Sequence, residues 1–134
     1  MFNDALANMF VAINTGITRK WLKVNCKKTN YLFLILSILF KEGFIAGFRI
    51  NPINPKNIEI ILKYFYNNPV FKKIIRISTK SRPVYISNIK LIKKLLYENK
   101  NFDGIYILST NKGMMTHKEA IIKKLGGQII CKIL

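Results

Sequence analysis

The chain has few carboxylates. There are 6 among 134 residues, Asp4, Glu42, Glu59, Glu98, Asp103 and Glu119, against 23 Lys and Arg. No two of them stand at a helix or strand spacing that makes an acid–base pair, so hydrolytic chemistry loses its usual basis. There is 1 histidine, His117. It falls in the first turn of an expected helix, where a solvated or lightly hydrogen-bonded ring is expected rather than a catalytic base. The 2 cysteines, Cys26 and Cys131, are too few for a disulfide framework. They read as buried free thiols in a reducing compartment. With one histidine, and so far apart, they do not make a zinc site. The GxxxxGK[ST] phosphate loop is missing, since Asn111-Lys112-Gly113 lacks its spacing. The apolar stretch 31–40 falls short of the roughly 20 residues a bilayer needs, which favours a core helix. The first residues lack the features of a signal or transit peptide. No enzyme, metal, cofactor or small-molecule substrate is indicated.

What is present is positive charge. The formal net charge is +17, spread along the whole chain. Charge on that scale calls for a polyanion, with nucleic acid first and an anionic membrane surface second. Half of the residues are hydrophobic, enough for a core in one domain or in two small ones sharing a contact.

Leu6, Met9, Phe10 and Ile13 mark one face of a first helix, expected to stop at Gly16. Residues 19–25 read as a short strand or an arm. Thr29 caps a second helix that ends at Gly43 and should be the most buried element, being apolar nearly all round. Residues 44–50 and 58–66 form a hairpin across Asn51-Pro52 and Asn54-Pro55. Asn67-Asn68-Pro69 punctuates the middle, which places a domain boundary between 1–67 and 68–134. Short β-type runs at 74–78 and 84–86 flank the basic link Thr79-Lys80-Ser81-Arg82-Pro83. Ser87 or Asn88 caps a helix over 89–97 with Ile89, Ile92 and Leu96 on one face. Residues 101–104 are a loop, and 128–134 close the chain as a strand after Gly126-Gly127 stops the last helix.

The chain is organised around Ser109-Thr110-Asn111-Lys112-Gly113-Met114-Met115-Thr116. The apolar run 105–108 leads in and the amphipathic segment 116–125 leads out, which reads as strand, tight polar loop, helix. Thr116 and Glu119 have capping-box spacing. Two hydroxyls, an amide, a cation and a glycine that lets backbone approach suit an anionic, hydrogen-bonding partner. A plain strand-to-helix turn is the competing reading. Arg76, Lys80, Arg82, Lys112, Lys118, Lys123 and Lys124 crowd this half of the chain. Tyr85, beside the basic link, is placed either to stack on a base or to sit half-buried in a strand.

This stretch, followed by Glu119-Ala120 and Gly126-Gly127-Gln128-Ile129-Ile130-Cys131, closely resembles the C-terminal signature of the small-subunit ribosomal protein eight family. Asp4, Ala7, Met9, Ile13 and Gly16 resemble its opening helix. Glu42-Gly43-Phe44-Ile45, Leu62-Lys63-Tyr64 and Arg76-Ile77-Ser78 fall in register too. The resemblance implies an α+β fold of two small α/β domains in contact, an N-terminal αβαββ unit and a C-terminal short-stranded sheet with a helix after the signature loop. It implies a non-catalytic protein that binds a central-domain hairpin of small-subunit rRNA and sits beside other small-subunit proteins. RNA contacts are implied for Ser109, Thr110, Asn111, Lys112 and Gly113, with Tyr85 near them. Ser78, Arg82, Thr116, Gln128 and Thr29 complete the implied set. Reading RNA shape through hydroxyls suits its exposed 2′-OH groups and splayed bases.

The chain departs from the family pattern at Asn111 for Ser, Gln128 for Glu, His117 for Asp and Lys80-Ser81 for Pro-Gly. The opening helix lacks the usual arginines, a role open to Arg19, Lys20 and Lys23. Lost arginines and residue usage rich in Ile, Lys, Asn, Phe and Tyr point to an organelle-encoded copy. A mitochondrial ribosome comes first, with a plastid or bacterial cytoplasm as alternatives. The rival function is a basic membrane-surface or general nucleic-acid-binding protein.

Overall fold

A computed structural model describes residues 2–79, 81–96 and 104–134. Lys80 of the basic link, Tyr97 of the expected third helix, Glu98, and residues 101–103 of the expected loop, Asp103 among them, lie outside the described residues. The chain divides into two compact units, Met1–Ile74 and Ile75–Leu134, later than the expected division after residue 67. The chain past residue 67 folds back onto the first unit. β5 (Asn68–Pro69) pairs with β4 (Tyr64–Phe65), and Phe71 sets its ring edge-on to Phe44 at 5.6 Å. The Asn14 amide then clamps Ile74, donating to its carbonyl at 2.9 Å and accepting its N–H at 2.8 Å.

In the first unit α1 (Phe2–Thr18) packs on β1 (Lys23–Lys27) and β3 (Asn57–Leu62), and α2 (Asn30–Lys41) packs on β2 (Ile45–Ile50). The sheet order is β1-β3-β2, antiparallel throughout. Leu6, Met9, Phe10 and Ile13 are all buried, as their spacing requires. The helix runs past Gly16 to Thr18, and Lys20, two residues on, takes φ +56°. Trp21 N–H then returns to Gly16 O at 2.8 Å and Lys20 N–H to Ile17 O at 3.2 Å, a Schellman closure with lysine where glycine is usual. Gly16 is needed instead for close packing, since a Cβ there would lie 2.6 Å from Val24 Cγ1 and 2.8 Å from Leu62 Cδ1. Thr29 does cap α2, accepting Leu32 N–H at 3.2 Å, and Gly43 ends it at φ +81°. α2 is one-sided rather than buried all round. Leu32, Ile35, Leu36 and Leu39 face the core, while Leu34 and Phe40 are each 53% exposed. Among the described residues no helix is long and apolar enough to cross a membrane.

The mid-sheet carboxylate, Glu59, is buried between two cations, Lys23 at 3.1 Å and Arg49 at 3.0 Å. The hydrogen bond from Lys23, then that from Arg49, holds its carboxyl below the usual range.

In the second unit β10 (Gly127–Ile133) is central. It lies between β6 (Ile74–Arg76) and β8 (Ile105–Thr110), and also pairs with β7 (Tyr85–Ile86). β9 (Gly113–Thr116) edges the sheet beyond β8. α3 (Asn88–Leu96) and α4 (His117–Ile122) complete it. The core joins Leu91, Tyr106, Leu108, Met115, Ala120 and Ile129. α3 buries Leu91 and turns Ile89 outward, against the expected face, and Ser87 Oγ caps its start by accepting Lys90 N–H. Cys26 in the first unit and Cys131 in the second are buried free thiols, pushed by burial to about 11 and about 12.

His117 is neither solvated nor lightly held. It is 0% exposed, edge-on to the Tyr106 ring at 6.0 Å, and its Nδ1 accepts Tyr106 N–H at 3.1 Å. Burial, then the charge of Lys118, lowers its pKa to about 4. The folded state therefore binds this proton less readily than the unfolded chain does. The associated stability is complete above the ordinary histidine pKa of about 6.5 and is lost as pH falls towards 4, on the order of 3 kcal/mol in all. His117→Asn keeps an acceptor for Tyr106 N–H and cannot titrate. Urea unfolding across this pH range should show the acid loss in the wild type and a flatter profile in the variant. Parallel profiles would place the acid sensitivity elsewhere.

Candidate nucleic-acid interface

The signature stretch folds as a β-hairpin and not as strand, loop, helix. Thr110 pairs with Gly113 across the two-residue loop Asn111-Lys112, and β9 intervenes before α4. The turn is drawn tight by Thr110, whose Oγ1 donates to Gly113 O at 2.7 Å and accepts Lys112 N–H at 3.3 Å. Gly113 carries φ +109°, with no atom within 4 Å of where a Cβ would stand. The glycine is there for its conformation, and its outer surface is open to approach.

Strand pairing brings distant residues into one row. Met114 is opposite Ser109, Ser109 opposite Gln128, and Gln128 opposite Tyr85. Directly paired residues share a sheet face. Their chain neighbours Leu108, Ile129 and Met115 lie in the core, so the row is on the opposite face, away from that core. Ser109 and Gln128 are half-buried and Tyr85 is largely exposed. Tyr85 is therefore a projecting ring and not a half-buried strand residue. Thr110 alternates to the other face, where its hydroxyl closes the turn and lies 3.9 Å from Met115 Sδ.

Three more of the expected site residues are occupied within the protein. Ser78 is buried, and its Oγ accepts Val84 N–H at 2.9 Å and donates to Val84 O at 3.3 Å. That bond closes the loop between β6 and β7. Thr116 is buried and caps α4 by accepting Glu119 N–H at 3.4 Å. Thr29 belongs to the first unit, where it caps α2. Arg82 is exposed at the end of a turn closed by reciprocal bonds with Thr79, both 3.2 Å. Asn111, Lys112, Lys118, Lys123 and Lys124 are exposed as well.

Gly126 and Gly127 have a different task from the one their place in the sequence implied. α4 ends before them, at Ile122, with Lys124 at φ +56° and the end closed by Leu125 N–H to Ala120 O at 2.8 Å and Lys124 N–H to Ile121 O at 3.1 Å. Asn88 Nδ2 donates to Ala120 O at 3.3 Å and Leu125 O at 3.1 Å, tying α3 to that end. A Cβ on Gly126 would lie 2.6 Å from Ile86 O, and one on Gly127 would fall onto Ser109 O. The pair thus lets β10 approach β7 and β8 where the row forms. The readable signal was a glycine pair at the start of an apolar strand, a mark of close backbone approach. Gly127→Ala should cost about 1–3 kcal/mol, since backbone rather than a flexible side chain must move. Urea unfolding checks this, and an unchanged midpoint would mean that the strands separate freely.

Among the described residues no three His, Cys, Asp or Glu stand together as metal ligands. The chain matches the protein family described as Ribosomal protein S8 over residues 4–134. It is 38% identical over 128 residues to small ribosomal subunit protein uS8m of Acanthamoeba castellanii, covering 96% of this chain and 97% of that one. It is 36% identical over 132 residues to small ribosomal subunit protein uS8 of Vesicomyosocius okutanii, and equally so to that of Pelagibacter ubique, each covering 98% of this chain and 97% of the other. The α+β fold agrees with this likeness, and so does a structural rather than enzymatic role. The chain belongs to the ribosomal protein S8 family.

Proposed function

We propose that the chain is a structural component of the small ribosomal subunit that binds a central-domain hairpin of small-subunit rRNA through the sheet row that faces away from the second unit's core. The observation that carries this reading is the alignment of Ser109, Gln128 and Tyr85 on one face. Ser109 and Gln128 offer directed hydrogen bonds to 2′-OH groups and base edges, and Tyr85 offers a stacking face. Asn111, Lys112 and Gly113 form the tip that enters the RNA. Lys112, Arg82, Lys123 and Lys124 neutralise phosphates. Thr110, Ser78 and Thr116 act as positioning residues, because their hydroxyls are spent on the turn, the 78–84 loop and the helix cap. Thr29 acts likewise on α2.

The compartment proposed is the mitochondrion. The 38% identity to a protein named uS8m supports it, as does residue usage rich in Ile, Lys, Asn, Phe and Tyr. Co-sedimentation with small subunits from purified mitochondria is the expected result, and recovery only in cytosolic or plastid ribosomes would reject it.

Recognition and charge should separate on mutation. If roughly 5 phosphates are neutralised, log K falls with log salt at a slope of about −4. Lys123→Ala should weaken the cognate hairpin and unrelated RNA alike, and make that slope shallower by about 1. Ser109→Ala should cost on the order of 1 kcal/mol on the cognate hairpin only, with the slope unchanged. Equal losses on both RNAs from Ser109→Ala would withdraw the row as the recognition surface.

A further inference from the structure

The first unit holds a feature that the rRNA-binding row does not use. β4 and β5 form a small hairpin, Tyr64 opposite Pro69 and Phe65 opposite Asn68, closed by Tyr66 and Asn67. Both loop residues have positive φ, +52° and +65°. Such turns favour Asn-Gly, and an aromatic residue is poorly suited to the first position. Tyr66 nevertheless stands there 88% exposed, with Phe65 edge-on at 4.7 Å and itself 67% exposed. The core gains little from either ring. A groove of about 510 Å³ runs beside them, lined by Lys63, Phe65, Tyr66, Asn68, Pro69 and Val70.

The hairpin is anchored through Tyr64, whose single hydroxyl proton is shared between Trp21 O at 2.5 Å and, more weakly, Gly16 O at 3.2 Å. That bond sets the turn after α1 at the hairpin's base. There Trp21 is 45% exposed and Arg19 lies over its ring at 5.5 Å. The neighbourhood is cationic. Lys63, Lys72 and Lys73 are exposed, and the sequence carries no carboxylate between Glu59 and Glu98.

We propose that this hairpin is a second RNA contact, a stacking platform for an unpaired nucleotide. It rests on the rRNA-binding reading above. Projecting aromatic faces with a lysine, Lys63, lining the groove beside them are the chemistry of single-stranded nucleic-acid binding, where rings hold bases and lysines follow the backbone. A protein partner would have to supply both acid and apolar surface to match the patch. One unpaired nucleotide supplies both.

The test uses the full chain with Phe65→Thr and Tyr66→Asn combined. Tyr64 is kept, so the anchor survives, and Asn tolerates positive φ, so thermal stability should not fall. The probe is a fluorescently labelled oligo(U) RNA of about twelve nucleotides, within the usual span of such sites. Trp21 is the sole tryptophan and gives a second readout by quenching. The double variant should bind oligo(U) at least roughly tenfold more weakly, with the salt slope unchanged and the Trp21 quenching reduced. An affinity within about twofold of wild type, on the same stacking scale, would overturn the proposal. So would unaltered RNA binding with loss of incorporation into small subunits, which would mark the patch as a protein contact. Should the wild type fail to bind the cognate hairpin, the parent reading fails. Should it bind the hairpin and the variant match it on oligo(U), only the second contact fails.

Discussion

The close backbone approach at Gly126-Gly127 is the constraint on which the second unit depends. β10 has to lie against β8 on one side and β7 on the other, and the space left at Gly127 admits no side chain beside the Ser109 carbonyl. Only with that spacing do Ser109, Gln128 and Tyr85 fall into one line. They come from three separate stretches of sequence. The 78–84 loop reinforces the arrangement, because Ile129 N–H donates to Val84 O at 2.8 Å while Ser78 holds Val84 from the other direction. The hydroxyls of Ser78, Thr110 and Thr116 are spent on building this frame, which leaves Ser109 at its surface.

Electrostatics in the protein separates into internal and external work. Glu59, the carboxylate inside the first sheet, is matched by Lys23 and Arg49. His117, the one histidine, is kept neutral by burial. Most of the +17 charge has no internal counterpart in so acid-poor a chain, and an external polyanion lowers its self-repulsion. Cations spread over both units attract RNA in general and do not distinguish one RNA from another.

Local signals in the sequence were legible where local physics decides. The caps at Thr29 and Thr116, the first helix face and the strand around residues 105–108 all stood as their spacing implied. Signals failed where tertiary contact decides. Gly16 and Gly126-Gly127 read as helix stops, because glycine is the usual left-handed residue, yet Lys20 and Lys124 take that conformation and the glycines serve packing. β9 was hidden because Met114-Met115-Thr116 continues without a break into α4. His117 looked like an exposed first-turn residue, since nothing local reveals that Tyr106 covers it. The resemblance supplied the proposed site residues, and their division into surface and frame was not legible in it. Thr110 beside Ser109 looks equivalent in sequence, and only the alternation of the strand sends it to the other face.

That alternation bears on how so basic a protein can be selective. If charge alone held the RNA, any surface of the molecule would serve and no particular RNA would be preferred. Selectivity needs neutral groups whose hydrogen bonds are made only when the partner's atoms are in the right places. In the proposed contact Ser109 and Gln128 meet that requirement, since strand pairing sets the backbone of each on one sheet face. The short Ser109 side chain has little rotamer freedom to lose on binding, and an RNA that presents its hydroxyls differently would leave both groups unsatisfied. The lysines, long and exposed, can follow a phosphate backbone of any shape. In the proposed rRNA contact, affinity and selectivity would therefore fall to different residue types, and the sheet is what keeps the two apart.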